Sequence, residues 1–127
     1  MEHIVCSGTV RVALPPERAR HYFTPEGERA WAPSWDPDYP GDHDGVFTTH
    51  DGATIWLDLG ELRYARVTPG VQAGTVAVDL APDGAGGTRA AVTYDLTALG
   101  PDAGLASFGA DFDAMMAAWE EHIAAAL

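Results

Sequence analysis

Arg66, Tyr64 and Tyr94 are the residues of this 127-residue chain whose chemistry folding alone explains least. Each falls on a strand face that is otherwise apolar, where a guanidinium costs several kcal/mol unless something pairs with it and a phenol needs a hydrogen-bond partner. The face follows from counting parity through the hairpins, because directly paired residues share one side of a sheet. With Gly60-Glu61 as a two-residue turn, Leu59 pairs with Leu62, Leu57 with Tyr64 and Ile55 with Arg66. A three-residue loop at Pro69-Gly70-Val71 then sets Arg66 opposite Gly74 and Tyr64 opposite Val76. A five-residue loop from Asp83 to Gly87 sets Val76 opposite Tyr94. The inward set is Ile55, Leu57, Leu59, Leu62, Tyr64, Arg66, Val76, Val78, Leu80, Val92, Tyr94 and Leu96, with Phe47 across from Ile55. Arg66 has three readings here: a structural ion pair with an acid from the helical cap, a position at the sheet's solvated edge, or an anchor for a ligand carboxylate, phosphate or enolate oxygen. Gly74 beside it leaves room.

Other constellations have ordinary explanations. Asp36, Asp38, Asp42 and Asp44, with His43 among them, invite a metal reading. The spacing is not that of an EF-hand, and Asp-Pro and Asp-Gly are common turn formers, so no metal is expected. His50-Asp51-Gly52 suits a hairpin loop with Gly in the left-handed position. Cys6 faces inward on strand one with no base beside it, an inert thiol. No nucleophile elbow, P-loop, dinucleotide fingerprint or zinc spacing occurs, so no catalytic residue and no cofactor are assigned.

The elements that must position these residues read clearly from periodicity. "IVCSGTVRVAL" alternates apolar and polar positions, a half-buried strand. Pro15 and Pro16 end it and open a short helix, and Thr24 with "PEGER" looks like the start of a second. "VFTT", "ATIWLDL", "LRYARVT", "GTVAVDL" and "TRAAVTYDLTAL" follow with turn residues between them, an antiparallel meander. From about Ala103 to Ala126, Leu105, Phe108, Phe112, Met115, Met116, Trp119 and Ile123 recur at three- and four-residue spacing, one face of a long helix. Such a helix is about 36 Å long and must lie across the sheet.

Trp31 and Trp35 stand in "ERAWAPSWDPDYPG", too rich in Pro and Asp to be helical. The loop from Trp31 to Gly41 lies where the mouth of a cavity between short helices and sheet would be. Its indoles are either a lid over a ligand or a plug for one end of the core.

The composition narrows the partners. The hydrophobic fraction of 46% is ordinary for one globular domain spanning 1–127. The net charge of −12, with seven Arg and no Lys, disfavours nucleic acid and anionic membranes and removes Schiff-base chemistry. The single cysteine forms no internal disulfide. The start, "MEHIVCSGTV", has neither the basic nor the apolar region of a signal peptide. A cytoplasmic chain, monomeric or weakly dimeric, is expected.

Strand, two short helices, meander, long C-terminal helix is the order of the helix-grip fold. The chain also resembles a family directly. "PEGERAWAPSWDP", "VFTT", "RVTPG", "GTVAV", "GGTRAAVTYDLTAL" and the terminal "MMAAWEEHI" resemble an SRPBCC (START-type) family of small bacterial proteins over nearly the whole chain. The resemblance implies an α+β architecture, a curved antiparallel sheet wrapped on the C-terminal helix with a ligand cavity between them. Its superfamily holds lipid carriers, polyketide cyclases and aromatases, hormone sensors and chaperone cofactors, so it speaks to fold more than to function.

The expected function is binding of a small apolar or aromatic molecule, with or without an anionic group. The expected ligand contacts are Trp31, Trp35, Phe47, Leu57, Tyr64, Arg66, Val76, Tyr94, Phe112, Met115, Met116 and Trp119, the methionines being adaptable surfaces or plain core. A polyketide cyclase- or aromatase-like enzyme is the alternative, with Arg66 stabilising an enolate and Tyr64 or Tyr94 exchanging a proton. A third is a protein-binding cofactor of the chaperone-ATPase-activator type, docking through Trp56, outward by parity beside Asp58.

Overall fold

A computed structural model describes residues 1–41 and 45–127. The chain opens with β1 (His3–Val12), whose alternating burial follows its alternating sequence. Pro16–Ala19 forms a single turn of helix, α1, with proline in its first turn. Two 3₁₀ turns, Arg20–Phe23 and Gly27–Ala30, follow. The second is shorter than the helix the sequence suggests and begins later, with Glu26 rather than Thr24 at its N-cap, although the Thr24 hydroxyl accepts from the Gly27 N–H at 3.0 Å.

The meander is β2 (Val46–Thr48), β3 (Ile55–Gly60), β4 (Arg63–Thr68), β5 (Gln72–Pro82) and β6 (Thr88–Ala98). With β1 these strands make a six-stranded antiparallel sheet in the order β1-β6-β5-β4-β3-β2. The helix α2 (Leu105–Ala126) completes the fold, packed mainly on β1. Leu105, Phe112, Met116 and Ile123 form its buried stripe. Gly8 and Gly109 let α2 and β1 approach closely: a β-carbon on Gly8 would stand 2.8 Å from Met116 Cγ, and one on Gly109 2.5 Å from Ile4 Cδ1.

Registers on the β4-β5-β6 side match those expected. Arg66 pairs with Gly74 and Tyr64 with Val76, and Val76 pairs with Tyr94. Gly74 has a stricter role than leaving room for Arg66. A β-carbon there would lie 1.9 Å from the Asp95 carbonyl oxygen, so the β5–β6 backbone itself demands glycine.

β3 departs from the sequence expectation by one residue. Its turn to β4 is made by Glu61 and Leu62, both with positive φ (53° and 59°), after a register irregularity between Asp58 and Gly60. Trp56 therefore pairs with Arg66 and Asp58 with Tyr64. A one-residue slip turns every side chain of a strand over. Trp56 points inward, and Ile55, Leu57 and Leu59, expected inside, are exposed. The β2–β3 connection is also longer than the three residues expected, with Phe47 opposite Trp56 rather than Ile55. Phe47 is buried all the same.

Candidate ligand-binding site

The inner face of the sheet and the segment between β1 and β2 enclose a cavity of about 140 Å³. The sheet supplies Phe47, Trp56, Tyr64, Arg66, Val76, Val78 and Tyr94; the segment supplies Phe23, Pro25, Glu28, Trp31, Ala32 and Trp35. α2 contributes Trp119 alone. The space thus lies between sheet and tryptophan segment, displaced from the sheet–helix interface the sequence suggested.

Of the expected contacts, Trp31, Trp35, Phe47, Tyr64, Arg66, Val76, Tyr94 and Trp119 come together in this wall. Four do not. Leu57 lies on the outer face because of the β3 slip. Phe112 and Met116 fill the close contact with Gly8, and Phe112 packs edge-on to Tyr94 at 5.8 Å. Met115 is a half-buried neighbour of the core. The helix stripe is core because β1, with its glycine, draws α2 down onto the sheet.

Both tryptophans of the opening segment are fixed pieces of wall. The Trp31 indole N–H donates to the Tyr22 carbonyl at 2.8 Å and its ring meets Trp119 edge-on at 5.4 Å. The Trp35 N–H donates to the Pro25 carbonyl at 2.8 Å, and its ring stands edge-on to Trp56 at 5.9 Å. Arg29 clasps the segment from outside: it bonds Asp36 at 2.6 Å, the Pro37 carbonyl at 2.8 Å and Glu26 at 3.1 Å. Of the aspartates weighed above as metal ligands, Asp36 accepts from Arg29, and Asp38 bridges Thr48 through its backbone while its carboxylate lies 3.3 Å from His50 Nδ1. Asp42, His43 and Asp44 lie outside the described residues.

Arg66 is the centre of the wall. Its guanidinium carbon sits 4.9 Å from the Trp56 ring centroid, a cation–π contact. Its Nε is buried without a hydrogen-bond partner, and it joins no ion pair among the described residues. Burial pulls its pKa below the usual range, the Tyr94 phenol acting weakly the other way. The Trp56 Nε1 is likewise buried and unpartnered. Burial pushes the hydroxyls of Tyr64 and Tyr94 well above the usual phenol range. Tyr64 donates to the Phe23 carbonyl at 3.0 Å.

Glu28 escaped the sequence reading. In "PEGERAW" it looked like a first-turn acid favouring a helix start. It faces the cavity instead, and burial alone pushes its carboxyl up to about 8, with no hydrogen bond or neighbouring charge lowering it. The only cue was its position three residues before Trp31.

The chain as a whole, a curved antiparallel sheet with a long C-terminal helix, superposes on known structures over almost its full length. An uncharacterised protein from Rhizobium leguminosarum superposes with a TM-score of 0.66 at 18% identity, covering 96% of this chain and 95% of that one. The Zhui aromatase/cyclase from Streptomyces sp. R1128 does so at 0.57 and 15% identity, covering 96% and 94%. The fold is the helix-grip fold. A third match, an HSP90 activator from Plasmodium falciparum, has a TM-score of 0.58 at 15% identity, covering 94% and 90%. No family model and no curated protein matches the chain. At these identities the likeness is one of fold. In this helix-grip chain, no helix among the described residues is long and apolar enough to cross a membrane.

Proposed function

We propose that the chain binds a small apolar or aromatic molecule in the cavity beneath the tryptophan segment, with Arg66 anchoring an anionic group on it. The observation that carries this is Arg66 itself: a largely buried cation lining an aromatic cavity, with its Nε unpartnered and no acid paired to it among the described residues. Leaving a guanidinium so placed is costly unless a ligand oxygen completes it. The aromatic walls support an occupant with a flat apolar body.

Arg66→Met tests this. The protein's own tryptophan fluorescence reports occupancy, since Trp31, Trp35, Trp56 and Trp119 all line the space. Wild type should prefer anionic aromatic probes such as 1-naphthoate and benzoate to neutral ones such as benzyl alcohol, and the variant should lose that preference. Equal preference in both proteins would sink the anchor.

The solved structures of this fold include an aromatase/cyclase and an HSP90 activator, so two other readings bear comparison. The enzyme reading asked Tyr64 or Tyr94 to exchange a proton, but phenols held so far above neutral pH are poor at it, and Tyr64 spends its hydroxyl on Phe23. The protein-docking reading relied on an outward Trp56, which the β3 register turns inward. Small-molecule binding is the reading with the most support.

A further inference from the structure

The cavity holds two groups able to carry charge at neutral pH, and they do not pair with each other. Arg66 comes from β4 and Glu28 from the 3₁₀ turn Gly27–Ala30. No contact between them falls within ion-pair distance among the described residues. Had the pair served stability alone, a bridged geometry would have satisfied both. The wall also carries unpartnered donors, Arg66 Nε and Trp56 Nε1. Donors left without acceptors call for an occupant that brings acceptor oxygens. A space of about 140 Å³ is close to the ~150 Å³ apolar cavity that takes up benzene, so an occupant filling it is one ring in size and touches every wall.

We propose that Glu28 fixes which charge this cavity accepts, and that the ligand class is a single-ring aromatic carboxylate held by Arg66 while Glu28 stays the neutral acid. The inference rests on the cavity reading above. With Glu28 neutral the cavity presents one cation and attracts an anion. With Glu28 ionised, the same anion is opposed by a second carboxylate in the wall of a low-dielectric space. Binding an anion must then draw a proton onto Glu28.

The other titratable groups facing Glu28 are Arg66 and Tyr64 of β4 and Tyr94 of β6. Both tyrosines feel its charge. Arg20 and Asp58 act on Tyr64 from outside, and Glu26 and Arg29 of Glu28's own segment are engaged with each other. The two tyrosines stay neutral and Arg66 stays charged, so Glu28 is the group that changes state near pH 8.

The test is binding of benzoate, benzyl alcohol and benzylamine to wild type and to Glu28→Gln from pH 5.5 to 9.5, followed by fluorescence and calorimetry. Wild-type affinity for benzoate should be level up to about pH 7 and fall toward tenfold per pH unit above 8. Glu28→Gln should remove that fall, and benzyl alcohol should bind with no such slope. Calorimetry of wild type at pH 8.5 in two buffers of different ionisation heat should show uptake of up to about three-quarters of a proton, the fraction of Glu28 ionised there, a readout independent of how any variant folds. A flat wild-type benzoate profile, or the same fall in Glu28→Gln, overturns the role of Glu28. Binding of benzyl alcohol or benzylamine without benzoate overturns the anionic class but leaves the cavity as a binding site. No binding of any probe overturns both this inference and the reading beneath it.

Discussion

The Arg66 guanidinium carbon lies 4.9 Å from the ring centroid of Trp56, its direct cross-strand partner. The indole face meets the cation where no ion pair does among the described residues. A contact of this kind contributes about 1–2 kcal/mol when desolvated, short of the cost of burying the charge. Arg66→Met should therefore leave urea-unfolding stability unchanged or raise it by up to about 2 kcal/mol. A loss of about 3 kcal/mol or more would reveal an acid that the arginine had been neutralising.

Glu28 makes stability depend on pH in the direction opposite to a salt-bridged acid. Its pKa rises from the unfolded value of 4.5 to about 8 on folding, so between those values the native state holds more protons than the unfolded one. Its contribution is complete below about pH 4.5 and is lost as pH climbs toward 8. Glu28→Gln should thus gain on wild type with rising pH, reaching about 2 kcal/mol at pH 8.5 once partial solvent access is discounted. Melting curves of both proteins at pH 6 and pH 8.5 check it; a gap that narrows with pH would contradict the assignment.

The register of β3 predicts a contrast between neighbours in sequence. Trp56 stacks on Phe47 at 5.8 Å inside the wall, while Leu57 is 43% exposed on the outer face. Trp56→Ala should cost about 3–5 kcal/mol, and Leu57→Ser about 0.5 kcal/mol or less. Chemical denaturation of the two variants separates the observed register from its one-residue alternative, which reverses the order.

Gly74 should tolerate no side chain. Its β-carbon would fall against a backbone carbonyl rather than a flexible side chain, so β5 and β6 must part to admit it. Gly74→Ala should destabilise by about 3 kcal/mol or more, visible as a melting temperature lowered by well over 10 °C. A near-neutral result would place β5 differently against β6.

The parts legible in the sequence were those whose turns announce themselves. Pro69-Gly70 and the Asp83–Gly87 loop set their registers at sight, and Arg66, Tyr64, Val76 and Tyr94 fell on one face as counted. The β3–β4 turn gave no such notice. Two-residue hairpin turns with positive φ at both positions favour Asn-Gly, whereas here Glu61 and Leu62 occupy them. The nearby glycine, Gly60, drew the turn one residue too early, and the irregularity between Asp58 and Gly60, which is what inverts the faces of β3, had no sequence signal. A second slip, in the longer β2–β3 connection, compensated for the first, which is why Phe47 was placed inside for the wrong reason. Glu28 was hidden differently. An acid in a helix-opening segment has an ordinary use, and only the tertiary closure of the tryptophan segment over the sheet buries it.

The turned-over β3 has a further result at the level of the solution. Ile55, Leu57 and Leu59 make an apolar ridge on the outer sheet face, and the strand beyond it, β2, is only three residues long. A short edge strand limits edge-to-edge pairing, so it is the apolar ridge beside this margin that offers molecules a surface to share. The net charge of −12 opposes this by mutual repulsion between molecules. Colloidal stability is therefore tied to ionisation: acidification, which neutralises the carboxylates, or high salt, which screens them, should turn a well-dispersed protein into one that self-associates through this ridge.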